Sequence, residues 1–401
     1  MLRAGKWLIG VGVGLLVLAL LWLVFAVPAL VRYPLDIDAT PVYEGTFTIF
    51  VDPDTFAPLD SPRELPLKVT RHIDSLGSKS SFSKVVVSEK IEFDAGGEFT
   101  QSQDNQYVMD RRSIKNVQSD EAYAFTPGNV VDRSPAYRLN FPLDTDADGE
   151  YLIYKNEIGT TYTATADPVE PELDVEGLHL IAFAASAGPL PITQAYIDLL
   201  SQSVPLPESL TIAQLTPLLL SVGIDVPGTL AALSPVITPE DLATLTSLAT
   251  QPVALVYLDT FSGGDAVEPE TGAIVVVKDV VETVSATASE DALPPILEVL
   301  QRYPQVPEAQ AALTGLNSLK TNPIPLFRNE FTQTDASIAD IAGQVKDQKD
   351  KVTLAKKTVP TVLVALGVVA GVAGLVLVFV GSRRRRAPES VTPDSGGELA
   401  A

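Results

Sequence analysis

Two long uncharged stretches decide the fold of this chain. The first is Trp7–Val27, WLIGVGVGLLVLALLWLVFAV, and the second is Thr361–Val380, TVLVALGVVAGVAGLVLVFV. Each is close to the roughly 20 apolar residues that an α-helix needs to cross the hydrocarbon core of a bilayer. The sequence therefore predicts one transmembrane helix near each end, over residues 7–27 and 361–381. The first stretch also fits a cleaved signal peptide, although it exceeds the roughly 7–15 residues of a signal-peptide core.

Basic residues set the expected orientation of the two helices. They flank the outer end of each stretch, at Arg3, Lys6, Arg383, Arg384, Arg385 and Arg386. Because loops rich in lysine and arginine stay in the cytoplasm, we expect residues 1–6 and the tail 382–401 to be cytoplasmic. The tail is predicted to be basic at first and then disordered. Residues 33–360, which carry nearly all of the 50 acidic side chains, are expected outside the plasma membrane.

Composition excludes several classes of function. The chain has 401 residues, no cysteine, two histidines and a net charge of −22. The absence of cysteine excludes disulfides, zinc-thiolate sites and cysteine nucleophiles. The negative charge argues against nucleic acid as a partner, because phosphate binding needs basic patches. The motifs GxSxG, HExxH, GxGxxG and the P-loop are not found, so we expect neither an enzyme nor a cofactor. His72 is predicted to be exposed and His179 to lie in the core.

The region between the membrane stretches has two kinds of hydrophobic pattern. Thr46–Val51 and Leu67–Ile73 alternate apolar and polar residues, which predicts strands. Helical spacing dominates residues 188–251 and about 290–320, and a polar helix is predicted over 335–358. The fold class is therefore α+β: a β-rich, antiparallel, barrel-like domain over 33–360 with helical inserts, anchored by one transmembrane helix at each end. The apolar inserts are either the core of a helical subdomain or a cap that faces lipid or a partner.

An acidic loop raises the question of a metal site. Asp144, Asp146 and Asp148 alternate and Gly149 follows them, as at the start of an EF-hand loop. The twelfth position is Lys155, where an EF-hand has its bidentate glutamate. The flanking residues are typical of strands rather than helices. The favoured interpretation is an acidic turn, and the three aspartates remain a weak candidate for a cation site.

Several motifs resemble one bacterial family. The segments YPLDIDATPVYEGTFTIF, YVMDRRS, YRLNFPL, EGLHLIAF and AVEPETGAIV occur in that order. Together they resemble the porin PorA-like family, a membrane domain of unknown function known mostly from actinobacteria. The resemblance runs from the first helix to the second. Its strongest motifs contain Asp110, Arg111, Arg112, Glu268, Pro269, Thr271 and Gly272.

The resemblance leaves the roles of these motifs open. Asp110, Arg111 and Arg112 either bind an anionic lipid headgroup through a guanidinium fork or form a structural ion pair or turn. Glu268, Pro269, Thr271 and Gly272 are expected to form a structural connection between strands. The family has a lysine-rich turn where this chain has its acidic loop, so a metal there would not be a family feature.

Two functions follow from the layout and from the family. The order of elements is similar to that of the class B scavenger receptors, and this similarity implies an apolar tunnel that carries lipids. Binding or conduction of lipids or other apolar envelope molecules is therefore the leading expectation, with membrane lipids and an apolar ligand as partners. The alternative, implied by the family, is an oligomeric channel. Close helix packing is predicted at four glycines, Gly10, Gly14, Gly367 and Gly371.

Overall fold

The protein consists of two compact units. The structure is a computed structural model that describes residues 2–53, 55–289, 291, 293–319 and 321–385. Within these residues, one unit comprises 2–32 and 349–385, and the other comprises 33–348. We call the first the membrane unit and the second the body.

The strands all belong to the body. They are β1 Asp38–Ala39, β2 Val42–Val51, β3 Pro58–Ser75, β4 Lys84–Ala95, β5 Phe99–Asp110, β6 Tyr151–Lys155, β7 Thr160–Ala166, β8 Glu172–Val175, β9 Leu178–Pro191, β10 Ser209–Thr211, β11 Pro252–Glu268, β12 Ala273–Ala288 and β13 Ile324–Gln333.

The helices occur at both ends of the chain and in two inserts. They are α1 Leu2–Leu21, α2 Val27–Leu30, α3 Gln194–Leu200, α4 Ile212–Ser221, α5 Val226–Leu233, α6 Pro239–Thr250, α7 Pro294–Gln301, α8 Pro307–Ser318, α9 Asp335–Thr353 and α10 Val359–Arg385. Two π-helical turns, Trp22–Ala26 and Leu354–Thr358, connect α1 to α2 and α9 to α10.

The terminal helices make this a membrane protein. In the part of the chain that the structure describes, two continuous helical segments are long and apolar enough to span a bilayer, Leu2–Leu30 and Asp335–Arg383. The mean hydropathy of their most apolar windows is 2.8 and 2.9. A shorter pair, α4 and α5, passes the same test jointly but is bent by 106°. Of the four arginines, three form the end of α10 and Arg386 lies outside the described residues.

Small residues form the contact between α1 and α10. Buried positions recur every seven residues in both helices, at Gly5, Gly12, Ala19, Pro360, Gly367, Gly374 and Gly381. A repeat of seven keeps one face of each helix on its partner. Residues without large side chains let the backbones approach closely. The indole Nε1 of Trp22 donates to the carbonyl oxygen of Ala355 at 2.9 Å, which ties the two π-helical turns together.

The predicted glycine contacts need correction. Gly10 and Gly14 are exposed, and a Cβ atom on either would meet nothing within 4 Å. Gly12 is the glycine at the contact, because its Cβ would lie 2.6 Å from the carbonyl oxygen of Gly367 and 2.7 Å from the amide nitrogen of Gly371. The four-residue spacing of Gly10 and Gly14 in the first helix therefore does not identify the residues in contact. The spacing of seven identifies the contact.

The body is built on one curled antiparallel sheet, a half-barrel. Its strand order is β5-β4-β3-β2-β13-β12-β11-β9-β7-β6, with β1, β8 and β10 paired at the side. The predicted alternation is confirmed in β2, where Phe47 and Val51 are buried and Ile49 packs against the same core. The α+β class with terminal membrane helices is likewise confirmed.

An irregular segment, residues 111–150, passes between the two edges of the sheet. At the β5 edge, Asn116 bridges Met109 and Tyr123 bridges Gln106. Near the β6 edge, Tyr137 forms a parallel bridge with Ile153. Backbone pairing thus continues beyond the regular strands at both edges. This segment gives the half-barrel its barrel-like interior.

Five helices form a cap at one end of the half-barrel, α4 to α8. Side chains cap the N-termini of three of them, α4, α5 and α6; Thr238, for example, accepts from the amide of Asp241, and Asp225 accepts from the amide of Gly228. The carboxylate of Asp241 in turn accepts hydrogen bonds from Arg302 and Tyr303, both at 2.6 Å. These bonds join the two helical inserts. The main hydrophobic core then continues from the sheet into the cap.

The expectation for His179 was wrong. Its side chain is 56% exposed, and Nδ1 lies 3.2 Å from a carboxylate oxygen of Asp174. The first three residues of β9 alternate, and His179 lies on the outward face between buried Leu178 and Leu180. The run of apolar neighbours concealed this alternation.

Leucine at Gly12 should separate the two membrane helices, whereas leucine at Gly14 should not. The new side chain at position 12 overlaps backbone atoms of α10, and we expect it to lower the thermal midpoint of the full chain in detergent by several degrees. Position 14 provides the control, because a Cβ there meets nothing within 4 Å. Equal midpoints for the two variants, measured by circular dichroism, would contradict the contact.

Candidate functional site

The cap encloses an apolar cavity. Its volume is about 120 Å³, and its lining comes from α4 to α8 and from the adjacent ends of β11, β12 and β13. Thr229 is the one polar residue in that lining, and its hydroxyl already donates to the carbonyl oxygen of Asp225. Representative lining residues are Leu215, Leu233, Leu245, Ile296, Ala312 and Leu316. Such a lining suits an apolar chain rather than a polar molecule.

Two further cavities follow inside the half-barrel. One, of about 120 Å³, is lined mainly by aromatic and aliphatic residues such as Phe47 and Phe327. The next, of about 140 Å³, has aromatic walls and several charged side chains. We call these three spaces the cap cavity, the middle cavity and the barrel cavity.

Strand β13 contributes to all three cavities. Ile324 lines the cap cavity, Leu326 and Phe327 line the middle cavity, and Phe331 lines the barrel cavity. The register with β12 shifts between the pairs Val284–Phe327 and Ser285–Pro325. A bulge of this kind keeps Ile324 and Phe331 on the inward face, although they are seven residues apart. The inward face of β13 therefore runs beside all three cavities over about 23 Å, at about 3.3 Å per residue.

A buried lysine surrounded by carboxylates lies in the wall of the barrel cavity. The Nζ atom of Lys155 contacts Glu282, and lies 3.3 Å from an oxygen of Asp259 and 3.4 Å from one of Glu157. All four residues are less than 10% exposed. Burial raises the pKa of Asp259 to about 7, although the charge of Lys155 opposes that rise. The three carboxylates raise the pKa of Lys155, so the ammonium stays charged despite its burial.

A second polar network is centred on Glu89, which is fully buried. Its carboxylate accepts hydrogen bonds from Arg71, from Tyr107 Oη at 2.6 Å and from Asn105 Nδ2 at 3.2 Å. Burial disfavours the carboxylate, but Arg71 and Arg138 outweigh burial and hold the pKa of Glu89 below its usual value. Arg133 extends this network by stacking on the ring of Tyr107.

Arg138 faces the barrel cavity on a segment that is held on both sides. Before it, Tyr137 pairs with β6 through its amide and its carbonyl, at 2.8 and 2.9 Å. After it, the amide of Phe141 donates to the carbonyl oxygen of Gly272 at 2.8 Å. The carboxylates of Glu89 and Glu157 keep the pKa of Arg138 high despite its burial. Asp265 also lines this cavity, and burial raises its pKa to about 6.

The motif at 268–272 forms the turn between β11 and β12. Glu268 is fully buried and accepts from the amide and the hydroxyl of Thr271, at 2.9 and 2.8 Å. The carbonyl of Pro269 accepts from the amide of Thr145 at 2.8 Å. Gly272 has φ +69°, and its carbonyl holds Phe141. These contacts hold the turn together, and they also fix the segment that carries Arg138.

The motif at 110–112 forms a second turn. Asp110 Oδ1 accepts hydrogen bonds from the amides of Arg112 and Ser113, at 3.0 and 2.7 Å. Arg111 donates to the carbonyl oxygen of Tyr33 at 2.7 Å, and the amide of Tyr33 donates back to Arg111. Arg112 is exposed. Asp110 therefore closes the turn, and Arg111 ties this turn to the start of the body at Tyr33.

The acidic loop at 144–149 is a turn. Asp146 accepts from the amides of Asp148 and Gly149, at 3.2 and 3.1 Å, and Tyr151 Oη bonds its backbone. Asp144 has φ +57°. Among the described residues, no group of three or more aspartates, glutamates or histidines is arranged to hold a metal ion. The loop thus has the acidic turn that the sequence favoured, and Asp144, Asp146 and Asp148 are not arranged as a metal site in it.

Sequence reasoning missed the charged residues of the barrel cavity. Lys155, Glu282 and Arg71 each occupy an inward position of their strand, in phase with buried apolar neighbours. Ile153 precedes Lys155 by two residues, and Val284 follows Glu282 by two. A charged residue at a strand position that alternates with buried apolar residues was the sequence signal that could have identified them.

Alanine at Gly272 should destabilise the body more than alanine at Gly97. Both glycines have positive φ, so both variants incur about 1–2 kcal/mol of backbone strain. Only at position 272 would the new Cβ also lie 2.2 Å from the carbonyl oxygen of Phe141. We expect a further loss of about 1–3 kcal/mol there. All 11 tyrosines lie in the body, so near-ultraviolet circular dichroism in urea measures the difference. Equal losses would contradict the clash.

Asp259 should make the body less stable as pH rises from about 4 to 7. In this range the folded protein retains a proton on Asp259 that the unfolded chain has lost, because the folded pKa is about 7. For this group alone, the free energy of unfolding falls by about 1.4 kcal/mol per pH unit. Asp259→Asn should flatten the measured slope, whereas the exposed control Asp60→Asn should leave it unchanged. A slope unaltered by Asp259→Asn would contradict the assignment.

Comparison with known proteins gives the family. A model of the family described as Porin PorA matches residues 4–376. No curated protein matches the chain. The matched range runs from the first turn of α1 into α10, and it includes the half-barrel, the cap and the two motifs. The chain therefore belongs to the porin PorA family.

Proposed function

We propose that the protein binds a lipid or another apolar molecule of the cell envelope inside its body. The observation that carries this proposal is the cap cavity, whose lining is apolar apart from Thr229. The middle cavity lies beside the same strand, β13, between the positions that line the cap cavity and the barrel cavity, and its lining is mainly apolar apart from Arg63, Glu98 and Ser203. A cavity wall of this composition gains free energy by burying apolar surface, at about 25 cal/mol per Å².

The layout supports a carrier or conduit rather than a catalyst. A helical cap on a curled antiparallel sheet, between two terminal membrane helices, follows the order of elements in the class B scavenger receptors. Lys155 and Glu89 are the centres of the two buried polar networks. Lys155 forms an ion pair with Glu282, and Glu89 accepts a hydrogen bond from Tyr107. The proposal assigns no catalytic step and no cofactor to these residues.

The proposed orientation places the body outside the plasma membrane and both termini in the cytoplasm. Its support is the basic residues beyond each apolar segment, Arg3 and Lys6 before the first and four arginines after the second. The body would then meet envelope lipids directly. Protease accessibility of the body in intact cells tests the orientation.

Channel formation is the second candidate, and the family description as a porin favours it. The exposed surfaces of α1 and α10 are apolar, so a water path through the membrane would require several copies. Conductance of the purified full-length protein in planar bilayers tests this candidate. Stepwise openings that Gly12→Leu abolishes would support an assembly of helical pairs.

Filling the cap cavity should abolish binding of an apolar ligand. Ala312 is buried on α8 and lines this cavity, whereas its neighbour Ala311 is exposed. We expect Ala312→Phe to weaken binding of a fluorescent fatty acid to the full-length protein by at least tenfold, because the ring occupies the space of the chain. Ala311→Phe is the matched control and should bind like the parent protein.

Native mass spectrometry with lipid analysis identifies the natural ligand. A lipid retained at fixed stoichiometry by the parent protein and by Ala311→Phe, but lost from Ala312→Phe, supports the proposal. A protein that neither retains lipid nor binds the fatty acid contradicts it.

A further inference from the structure

The barrel cavity contains an arginine that is not fully hydrogen-bonded. Arg138 lines the cavity, and its Nε atom has no hydrogen-bond partner among the residues that the structure describes. Its Nε atom is buried. The other cations of the cavity are paired: Arg71 contacts Glu89, and Lys155 contacts Glu282. Arg138 is therefore the cation available to a ligand in this cavity.

A guanidinium held in this way is suited to an anion. Its planar N–H groups match the two oxygens of a carboxylate or a phosphodiester. Tyr137 and Phe141 fix the backbone on either side of Arg138, so little freedom is lost on binding. A buried N–H group without an acceptor is costly, and an anion in contact with Arg138 would supply an acceptor for its Nε–H group.

Asp265 limits how much negative charge the cavity accepts. It lines the same cavity as Arg138. Glu157 and Glu282 also line it, but both contact Lys155, whereas Asp265 forms no ion pair with any described residue. A second negative charge on the ligand would be repelled by this carboxylate. The cavity therefore favours a group with one negative charge over a dianion.

We propose that Arg138 binds the single negative charge of an amphiphile whose apolar chain extends through the middle cavity toward the cap cavity. This inference rests on the proposed function, because the chain occupies the apolar spaces described there. The ligand class is thus narrowed from apolar molecules in general to monoanionic amphiphiles, with a carboxylate or a phosphodiester at one end. Arg138 and Asp265 determine the specificity.

Probes that differ only at the head of the chain test this inference. Palmitic acid and hexadecanol have the same chain, and their dissociation constants for the full-length protein can be compared in detergent. We expect the acid to bind at least tenfold more tightly than the alcohol. Arg138→Gln should remove this preference while alcohol binding persists, and Arg112→Gln, at an exposed position, should retain it.

Further variants guard against loss of folding. Arg138→Lys keeps the positive charge but lacks the planar pair of N–H donors. Its preference for the acid should therefore lie between those of the parent protein and Arg138→Gln. Asp265→Asn should permit binding of the dianion hexadecyl phosphate. Tyrosine circular dichroism of each variant confirms that the body is folded. Lysophosphatidylglycerol shows whether a phosphodiester serves as well as a carboxylate.

The outcomes separate the two proposals. Equal binding of acid and alcohol by the parent protein, or an unchanged preference in folded Arg138→Gln, overturns the role of Arg138 and leaves apolar binding intact. Failure of both probes to bind the parent protein overturns the proposed function, and this inference with it.

Discussion

The antiparallel pairing of β2 with β13 determines the arrangement of the body. These are the first long strand and the last strand of the body, yet they are neighbours in the middle of the sheet. The free edges are consequently β5 and β6, which lie in the interior of the sequence. The chain between them, residues 111–150, has to pass from one edge to the other, and it forms no regular strand on its way. This irregular segment carries Arg138.

The two family motifs lie far from each other in sequence, and each holds a neighbouring stretch of chain through hydrogen bonds. The turn at 268–272 holds Phe141 and Thr145, and the turn at 110–113 holds the start of the body at Tyr33. Both turns therefore act on the irregular segment or on its beginning. A loop without regular pairing needs specific hydrogen bonds to adopt one conformation. Single residues such as Gly272 supply those bonds here. A motif that looks purely structural can thus position Arg138, the residue proposed to bind the ligand.

The sequence was sufficient for the parts that depend on local patterns. Membrane helices need an uninterrupted apolar run, and strands such as β2 need alternation, so both were predictable. The contact between the two membrane helices was less predictable. GxxxG at Gly10 and Gly14 is a local pattern, whereas the contact at Gly12 depends on the partner helix. The acidic loop was misleading for the same reason: Asp144, Asp146 and Asp148 are close in sequence, but a metal requires their oxygens to converge.

The candidate site was the least predictable part, since it depends on pairings between distant strands. Lys155 meets Glu282 across 127 positions of sequence, and neither residue looks unusual alone. Their positions in the strand alternation show only that their side chains lie on the inward face of the sheet. The residues on the facing strands of the curled sheet decide whether such a charge is paired or available to a ligand.

A mixed interior is also informative about what the body can hold. A sheet that needed only stability would gain by filling its centre with apolar side chains, because buried ion pairs are often no better than well-packed hydrophobic residues. Here apolar cavities lie toward the cap, while charges gather around the barrel cavity at the other end of β13. A ligand that matches both ends must itself be apolar along most of its length and polar at one end. Amphiphiles have that distribution, and the membrane to which the protein is anchored consists of them.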